Sequence, residues 1–399
     1  MNKTREIGSD VGNDALKIIL DQPNYEGKTK IEVMNVVAQG YKRRIMGAEK
    51  GHPANLLDVT ITSEGKAIGS GRYFVGGLAF SENRDDLIEK TKRDVKATNI
   101  DTIILLMTGI AYSLYDPNKP IKTESIALGT LLPTEEYWYD GEDKAGNVLP
   151  DDYLVKEFEK RLQKEYTVKF HSPVFKNAEI TIKIEDYDIV PEGVAGHMAV
   201  IYDEKGNTRE GVKVENEVHL GIIIGSITTE VSVYNNGEFD PRGFVGIPLG
   251  TSDPLDKIID SLGIDMTRHQ VDYLLRNKKQ LNVNMGGQTI DLTPRLNSEA
   301  EDKFGFFTKQ VVNSLNKKLS RQGIKTNLVT RINLGGGGAI TTADSFKKEF
   351  NHGNIVLAND PRFANALGAL YSIRTKRGTT AEAEVLDTVQ EIASDKITK

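Results

Sequence analysis

The chain has 399 residues, of which 38% are hydrophobic and 27% charged, a balance typical of a globular protein of two or three domains. Its formal net charge of -6 argues against non-specific capture of nucleic acid over the whole surface. Because the sequence contains no cysteine, disulfides, thiolate metal sites and cysteine nucleophiles are excluded.

Strand and helix patterns alternate through the first half of the chain. Residues 5–20 predict a strand, a polar Gly/Asp turn and a second strand, and helical spacing of apolar residues over 98–115 predicts a buried helix. A charged helix is expected at 151–164, and Pro191 is suited to the start of another helix. Further strands are predicted at 30–37, 58–62, 72–75, 125–131, 166–171 and 179–184.

The second half repeats the opening pattern. Residues 219–239 again predict strand, small-residue turn and strand, and the polar segment 202–214 is the best candidate crossover between two lobes. Two such units half a chain apart predict a duplicated α/β architecture with a cleft between the halves. Residues 254–323 are expected to be mainly helical, followed by a strand at 328–334, a glycine run, a helix at 343–350, a strand at 354–358 and a helix at 363–374.

No segment predicts export or membrane insertion. The first ten residues lack the apolar stretch of a secretory signal. The longest apolar segment, 103–114, is interrupted by polar residues and is too short to span a bilayer. We therefore expect a cytoplasmic protein that does not bind membranes.

The first turn has a composition suited to phosphate. Around Asp10, Gly12 and Asn13, backbone N–H groups are free to face a phosphate, and the Asp10 carboxylate is placed to hold hydrated Mg²⁺. An ordinary hairpin turn explains the same residues, because Asp, Asn and Gly all form turns readily. Taken alone, this segment favours the ordinary turn.

A run of four glycines, 335–338, directly follows an apolar strand. Glycines let another group approach the backbone closely, here a flat base and its ribose. A flexible loop is the alternative, but a strand immediately before and a helix soon after favour a rigid binding loop.

Glu192 follows Pro191 at a strand-to-helix junction. A carboxylate there can position a water beside a phosphate. Taken alone, however, this residue is better explained as a first-turn glutamate favoured by the helix dipole. The segment 359–366 begins a late helix whose small residues permit close packing without any ligand.

The order of these pieces is more specific than any one of them. Together they resemble the actin-like ATPase fold, and most closely the ParM-like family of bacterial plasmid-segregation actins, from Asp10 to about Tyr371. The segments that carry the resemblance are YFVGGLA at 73–79, IALGTLLP at 126–133, VPEGVAG at 190–196, LGGGGA at 334–339 and NDPRFANALG at 359–368.

The resemblance implies roles for individual residues. It implies that Asp10 and Glu192 are catalytic, with Mg²⁺ near Asp10 and the hydrolytic water oriented by Glu192. The implied nucleotide is ATP, and GTP fits the same loops. The implied binding residues are Asp10, Gly12 and Asn13 in a first phosphate loop, Gly225, Ser226 and Thr228 in a second, and Gly335, Gly336 and Gly337 in an adenosine loop.

One position departs from the family pattern. The second loop of the family has Asp-x-Gly, but this chain has Ile223 where the aspartate is expected. Glu230 lies on the outgoing strand and is not assumed to substitute. The loss is expected to slow hydrolysis, to alter metal dependence, or to leave binding without turnover.

The resemblance also implies domain boundaries. A first actin-like lobe is expected at 1–212 with a small inserted subdomain at about 36–97. A second lobe is expected at 213–374 with an inserted helical subdomain at about 250–325. A charged tail is expected at 375–399.

The implied function is a filament-forming ATPase of plasmid DNA segregation, in which nucleotide drives polymerisation and hydrolysis drives filament turnover. Its implied partners are further copies of itself and a DNA-binding adaptor on a centromere-like plasmid site. Direct DNA binding is not expected, because no helix combines a basic stripe with a groove-reading motif. Two alternatives stay open: a hydrolysis-poor nucleotide-binding scaffold and a small-molecule kinase on the same fold.

Overall fold

A computed structural model describes residues 4–44, 51–82, 95–142, 148–203, 206–285, 287–350 and 354–378. The chain divides into two compact units, the first formed by residues up to 210 together with residues from 365 onward, and the second by residues 211–364. Most of the expected charged tail lies outside the described residues.

Within the described residues, three sheets account for all the named strands. The strands of the first unit are β1 (Arg5–Val11), β2 (Ala15–Leu20), β3 (Lys30–Met34), β4 (Val37–Gln39), β5 (Leu57–Ser63), β6 (Lys66–Val75), β7 (Ile121–Leu132), β8 (Tyr166–Phe170) and β9 (Glu179–Pro191). Those of the second unit are β10 (Val218–Ile224), β11 (Thr229–Asn235), β12 (Glu238–Ile247), β13 (Asn282–Met285), β14 (Gln288–Asp291), β15 (Arg331–Gly335) and β16 (Asn354–Leu357).

Ten α-helices are described. They are α1 (Gly77–Glu82), α2 (Ile100–Leu114), α3 (Thr134–Tyr137), α4 (Tyr153–Leu162), α5 (Glu192–Ile201), α6 (Ser252–Leu262), α7 (Arg268–Arg276), α8 (Thr293–Arg321), α9 (Ala339–Glu349) and α10 (Ala364–Lys376). None of these helices is long and apolar enough to cross a membrane.

The first unit is built on a nine-stranded sheet in the order β3-β2-β1-β7-β9-β8-β5-β6-β4. Strands β1, β7 and β9 run parallel, so their carboxyl ends meet at one edge of the sheet. Helix α2 packs its apolar side chains into the core of this unit, which confirms the buried helix predicted over 98–115. The strand–turn–strand pattern predicted over 5–20 is also confirmed.

Helix α10 packs against this same sheet at very close range. A Cβ added to Gly8 would lie 2.1 Å from the Ala366 carbonyl oxygen, and one added to Gly129 would lie 1.9 Å from that of Ala369. Only glycine permits such contact between helix and strand backbones. The sequence-based second lobe, 213–374, therefore differs from the structural division, which assigns residues from 365 onward to the first unit.

The chain passes from the first unit into the second between residues 210 and 211, inside the polar segment 202–214. The subdomains expected at 36–97 and 250–325 stay predictions.

The second unit contains a five-stranded sheet in the order β12-β11-β10-β15-β16. Strands β10, β15 and β16 are parallel, and α6, α8 and α9 contribute apolar residues to its core. Residues 254–323 are mainly helical, as predicted, but the prediction did not include the hairpin β13–β14. That hairpin turns at Gly287, whose φ of 84° suits glycine, and every described residue of β14 is exposed.

Candidate functional site

The turn between β1 and β2 is tight. The Gly12 N–H donates to the Ala15 carbonyl oxygen at 3.1 Å, and a Cβ on Gly12 would lie 2.9 Å from that oxygen. The side-chain amide of Asn35, the residue that follows β3, donates to the Gly12 carbonyl at 2.7 Å and braces the turn. Asn13 is partly exposed at the tip, where its backbone N–H is suited to meet an anion.

The turn between β10 and β11 has the same construction. The Gly225 N–H donates to the Thr228 carbonyl at 2.8 Å, and a Cβ on Gly225 would lie 2.9 Å from it. The backbone N–H of Thr251 donates to the Gly225 carbonyl at 3.1 Å, and that of Ser252 to the Ser226 carbonyl at 2.8 Å. Helix α6 therefore begins directly beside this turn.

The glycine run joins the second turn within the same unit. Gly336 has φ 82°, and its Cβ would lie 2.3 Å from the Ile224 carbonyl oxygen, which also accepts from the Gly338 N–H at 3.0 Å. Gly337, in contrast, has open space where its Cβ would be. Helix α9 starts immediately afterward at Ala339. The run is thus a braced loop at a helix N-terminus, where anions and flat groups can approach the backbone.

The structure places Gly225, Ser226 and Thr228 beside the glycine run, at the carboxyl ends of β10 and β15. In open α/β sheets, ligands bind outside the carboxyl ends of the strands. The position of these predicted binding residues is therefore suited to a ligand, and their individual roles stay predictions.

In the first unit, two buried carboxylates lie near two buried lysines. Asp10, the penultimate residue of β1, is 3.9 Å from the Lys17 ammonium. Glu192 is the first residue of α5, at the carboxyl end of β9, and its Oε1 accepts from the Lys96 ammonium. All four side chains are at most 11% exposed.

The electrostatics of Asp10 link the two pairs. Burial raises the pKa of the Asp10 carboxyl, as does the nearby charge of Glu192, while the cations of Lys17 and Lys96 and a hydrogen bond from Asn365 act in the opposite direction. The ionised form of Asp10 is therefore costly in this environment. A cation bound beside it would offset that cost.

Sequence reasoning missed Lys17, Lys96 and Asn365. Lys17 could have been found from the hairpin, because antiparallel pairing of β1 and β2 places it directly opposite Asp10. Lys96 and Asn365 reach the cluster from distant parts of the chain. Asn365 lies in the segment 359–368 that carries the resemblance, whereas nothing in the local sequence marks Lys96.

The two hairpins differ at equivalent positions. The residue two before the turn glycine is Asp10 in the first and Ile223 in the second; their cross-strand partners are Lys17 and Glu230. Directly opposite residues of antiparallel strands project from the same face of a sheet. Glu230, buried on β11, therefore lies on the face where the expected aspartate would have been.

A magnesium site at Asp10 fits the available donors in one way only. Within the described residues, no group of three or more His, Asp or Glu side chains could hold a metal ion. Magnesium usually keeps several waters and takes one or two carboxylates together with substrate phosphates. A single buried carboxylate such as Asp10 suits that mode and not an all-protein cage.

Each unit contains a sheet whose first strand leads into a glycine hairpin, and residues 210 and 211 connect the first unit to the second. Alp7A, an actin-like protein, matches with a TM-score of 0.70 and 16% identity over 98% of this chain and 99% of its own. Bacillus thuringiensis ParM with AMPPNP matches with 0.67 and 17% over 94% and 100%. A non-polymerisable quadruple mutant of pCBH ParM matches with 0.65 and 21% over 94% and 100%.

These likenesses confirm the expected actin-like fold and the expected resemblance to ParM at the level of the fold. No family model and no curated protein matches the sequence.

Proposed function

We propose that the protein is a filament-forming actin-like ATPase that segregates plasmid DNA, with nucleotide driving polymerisation and hydrolysis driving filament turnover. The observation that carries the proposal is the likeness of the fold to ParM and Alp7A along nearly the whole chain. Two matching glycine turns and a buried Asp10–Glu192 cluster supply residues suited to nucleotide chemistry. The fold is shared with ParM structures that contain ATP, ADP and AMPPNP. In this proposal the partners are further copies of the chain and a DNA-binding adaptor, and the protein acts in the cytoplasm.

In this proposal, phosphate binding, base binding and orientation of the attacking water are carried out by different residues. Backbone N–H groups at Asn13 and Ser226 would bind phosphate oxygens, since both residues are partly exposed at the tips of their turns. The open side of Gly337 suits a flat purine, and either adenine or guanine fits this description. Glu192 would accept a hydrogen bond from the attacking water and so orient it.

Asp10 would hold a hydrated Mg²⁺, which neutralises phosphate charge when bound. Burial makes the Asp10 carboxylate a poor free anion, so a cation beside it is favoured.

A hydrolysis-poor scaffold is a second candidate, and one observation favours it. Ile223 is buried where the family has an aspartate, so the second turn contributes no carboxylate from β10. Such a protein would assemble with nucleotide and release little phosphate.

The test is sedimentation and light scattering with Mg-ATP, Mg-GTP, Mg-ADP and no nucleotide, with phosphate release followed in parallel. We expect the wild-type protein to assemble with a triphosphate. For Glu192→Gln, we expect that filaments persist while phosphate release falls about 100-fold. Assembly of the wild type without release would support the scaffold. Absence of assembly with every nucleotide would contradict the filament proposal.

Two neighbouring glycines supply a matched pair for the nucleotide loop. Gly336→Ala would force a Cβ against the Ile224 carbonyl, whereas Gly337→Ala adds a methyl in open space within the protein. We expect Gly336→Ala to weaken nucleotide binding by distorting the loop, measured with a fluorescent nucleotide analogue. If Gly337→Ala also weakens binding while thermal stability is unchanged, the ligand itself occupies the open side of Gly337.

A further inference from the structure

A buried ion pair joins two distant parts of the first unit. The Lys96 ammonium donates to Oε1 of Glu192, and the two residues are 7% and 8% exposed. Lys96 is itself fixed through its backbone. The N–H groups of Lys96 and Ala97 donate to the two carboxylate oxygens of Glu136, at 3.1 and 2.9 Å.

The pair as a whole adds little net stability, although removing one partner would leave a buried charge unpaired. Glu192 is the first residue of α5, and a carboxylate in the first turn is already favoured by the helix dipole. Burying two charges together is at best weakly stabilising, because both lose water. An additional buried lysine at this point is therefore better explained by orientation of the carboxylate than by stability.

We propose that Lys96 is a positioning residue for Glu192. Its ammonium donates a hydrogen bond to Oε1 of Glu192 and so restricts the orientation of the carboxylate. Oε2 is then the oxygen that orients the attacking water. Glu136 in turn holds Lys96 in place through the backbone. This inference rests on the proposed ATPase function, because it assigns Lys96 a task in that same site.

The first experiment is a double-mutant cycle in phosphate release. Lys96→Met is expected to lower kcat about 10- to 100-fold while KM and nucleotide-dependent assembly change less than about twofold, because misplacing a catalytic group costs rate and not binding. Placed on Glu192→Gln, the same substitution should cause no further fall. Lys96→Arg should recover part of kcat. Lys156→Met, which removes an exposed pair with Asp152, is the matched control.

The second experiment needs no nucleotide. Lys96→Met leaves a buried carboxylate without its cation and should lower Tm by roughly 5–15 °C. Adding Glu192→Gln should restore much of that loss, since the unpaired charge is gone. Where Lys96→Met alone is too unstable for kinetics, Lys96→Arg and the double variant still complete the comparison.

Three outcomes separate the possibilities. Full kcat in Lys96→Met, with kcat lost in Glu192→Gln, overturns the positioning role and leaves the ATPase proposal intact. A rise in KM of equal size in both backgrounds overturns it in favour of direct contact between Lys96 and the nucleotide. A wild-type protein that neither binds nor hydrolyses nucleotide overturns the proposed function, and the role of Lys96 with it.

Discussion

The two glycine hairpins have nearly the same backbone geometry but different side chains beside the turn. Each closes with an N–H to carbonyl bond from its glycine, Gly12 or Gly225, to the residue three positions later, and each would place a glycine Cβ 2.9 Å from that same oxygen. Steric demand therefore explains glycine at both positions equally well. The backbone donors that suit phosphate are present twice.

The side chains beside those turns are not duplicated. In the first hairpin a carboxylate on the incoming strand, Asp10, faces a cation, Lys17; in the second an apolar side chain, Ile223, faces a carboxylate, Glu230. Backbone donors that suit an anion therefore occur in both units, whereas the carboxylate–lysine pair lies in the first hairpin. Variants that make one hairpin like the other test this division.

The largest effect is expected from Asp10→Asn, which removes the charge of the first hairpin and keeps its shape. We expect phosphate release to fall about 100- to 1,000-fold, a loss typical of removing one preorganised electrostatic group. Asp14→Asn, an exposed carboxylate on the same turn, is the control. Phosphate release within threefold of the wild type in Asp10→Asn would contradict the assignment of charged chemistry to this hairpin.

The stability of the same variant should move in the other direction. Burial raises the pKa of Asp10 above its unfolded value, so the stability linked to this group is present at low pH and is lost as pH rises through the folded pKa. A neutral amide avoids that loss. At neutral pH the nucleotide-free Asp10→Asn protein should therefore have a Tm equal to or above that of the wild type.

The second-largest effect is expected on stability, from Ile223→Asp. This substitution gives the second hairpin a carboxylate at the position of Asp10 in the first. The new charge would be buried directly opposite Glu230, and like charges facing each other across a sheet are destabilising. We expect the free energy of unfolding to fall by about 3 kcal/mol, measured by denaturant titration without nucleotide.

Adding Glu230→Gln to Ile223→Asp should recover about 1 kcal/mol or more, because it removes the facing charge. A further loss in the double variant would show that Glu230 does not repel the new carboxylate. Either variant can then be assayed with Mg²⁺, where faster phosphate release than in the wild type would identify Ile223 as the cause of slow turnover.

Local pattern was enough to predict both hairpins and the braced glycine loop. An apolar run, a turn of Gly and small polar residues, and a second apolar run determine where a chain can reverse. The position of α10 in the chain was not enough to predict which unit it belongs to. Its assignment to the first unit depends on glycines at 8 and 129, which lie more than 230 residues away and allow backbone contact that no local pattern reports.

The charged cluster was predicted only in part for a related reason. Asp10 and Glu192 stand at strand ends, where a sequence pattern can locate them, but Lys96 and Asn365 enter from other elements. The hairpin β13–β14 was missed because each of its strands has only four residues and all four residues of β14 are exposed. The two glycines between them, 286 and 287, were the available signal.

The smallest expected effect concerns how each turn is braced. The Gly12 carbonyl accepts from the Asn35 side chain at 2.7 Å, whereas the Gly225 carbonyl accepts from the Thr251 backbone N–H at 3.1 Å and only weakly from its hydroxyl at 3.5 Å. Asn35→Ala removes a well-formed bond and should cost about 1 kcal/mol of unfolding free energy. Thr251→Val keeps the shape and the backbone donor.

We therefore expect Thr251→Val to cost about 0.5 kcal/mol or less, since the carbonyl it leaves still has a partner. Denaturant titration of both variants without nucleotide measures the difference directly. Equal losses would mean that the long hydroxyl contact matters as much as the short amide contact. A larger loss for Asn35→Ala would show that two turns of one geometry are supported differently, by a side chain in the first hairpin and by a helix start in the second.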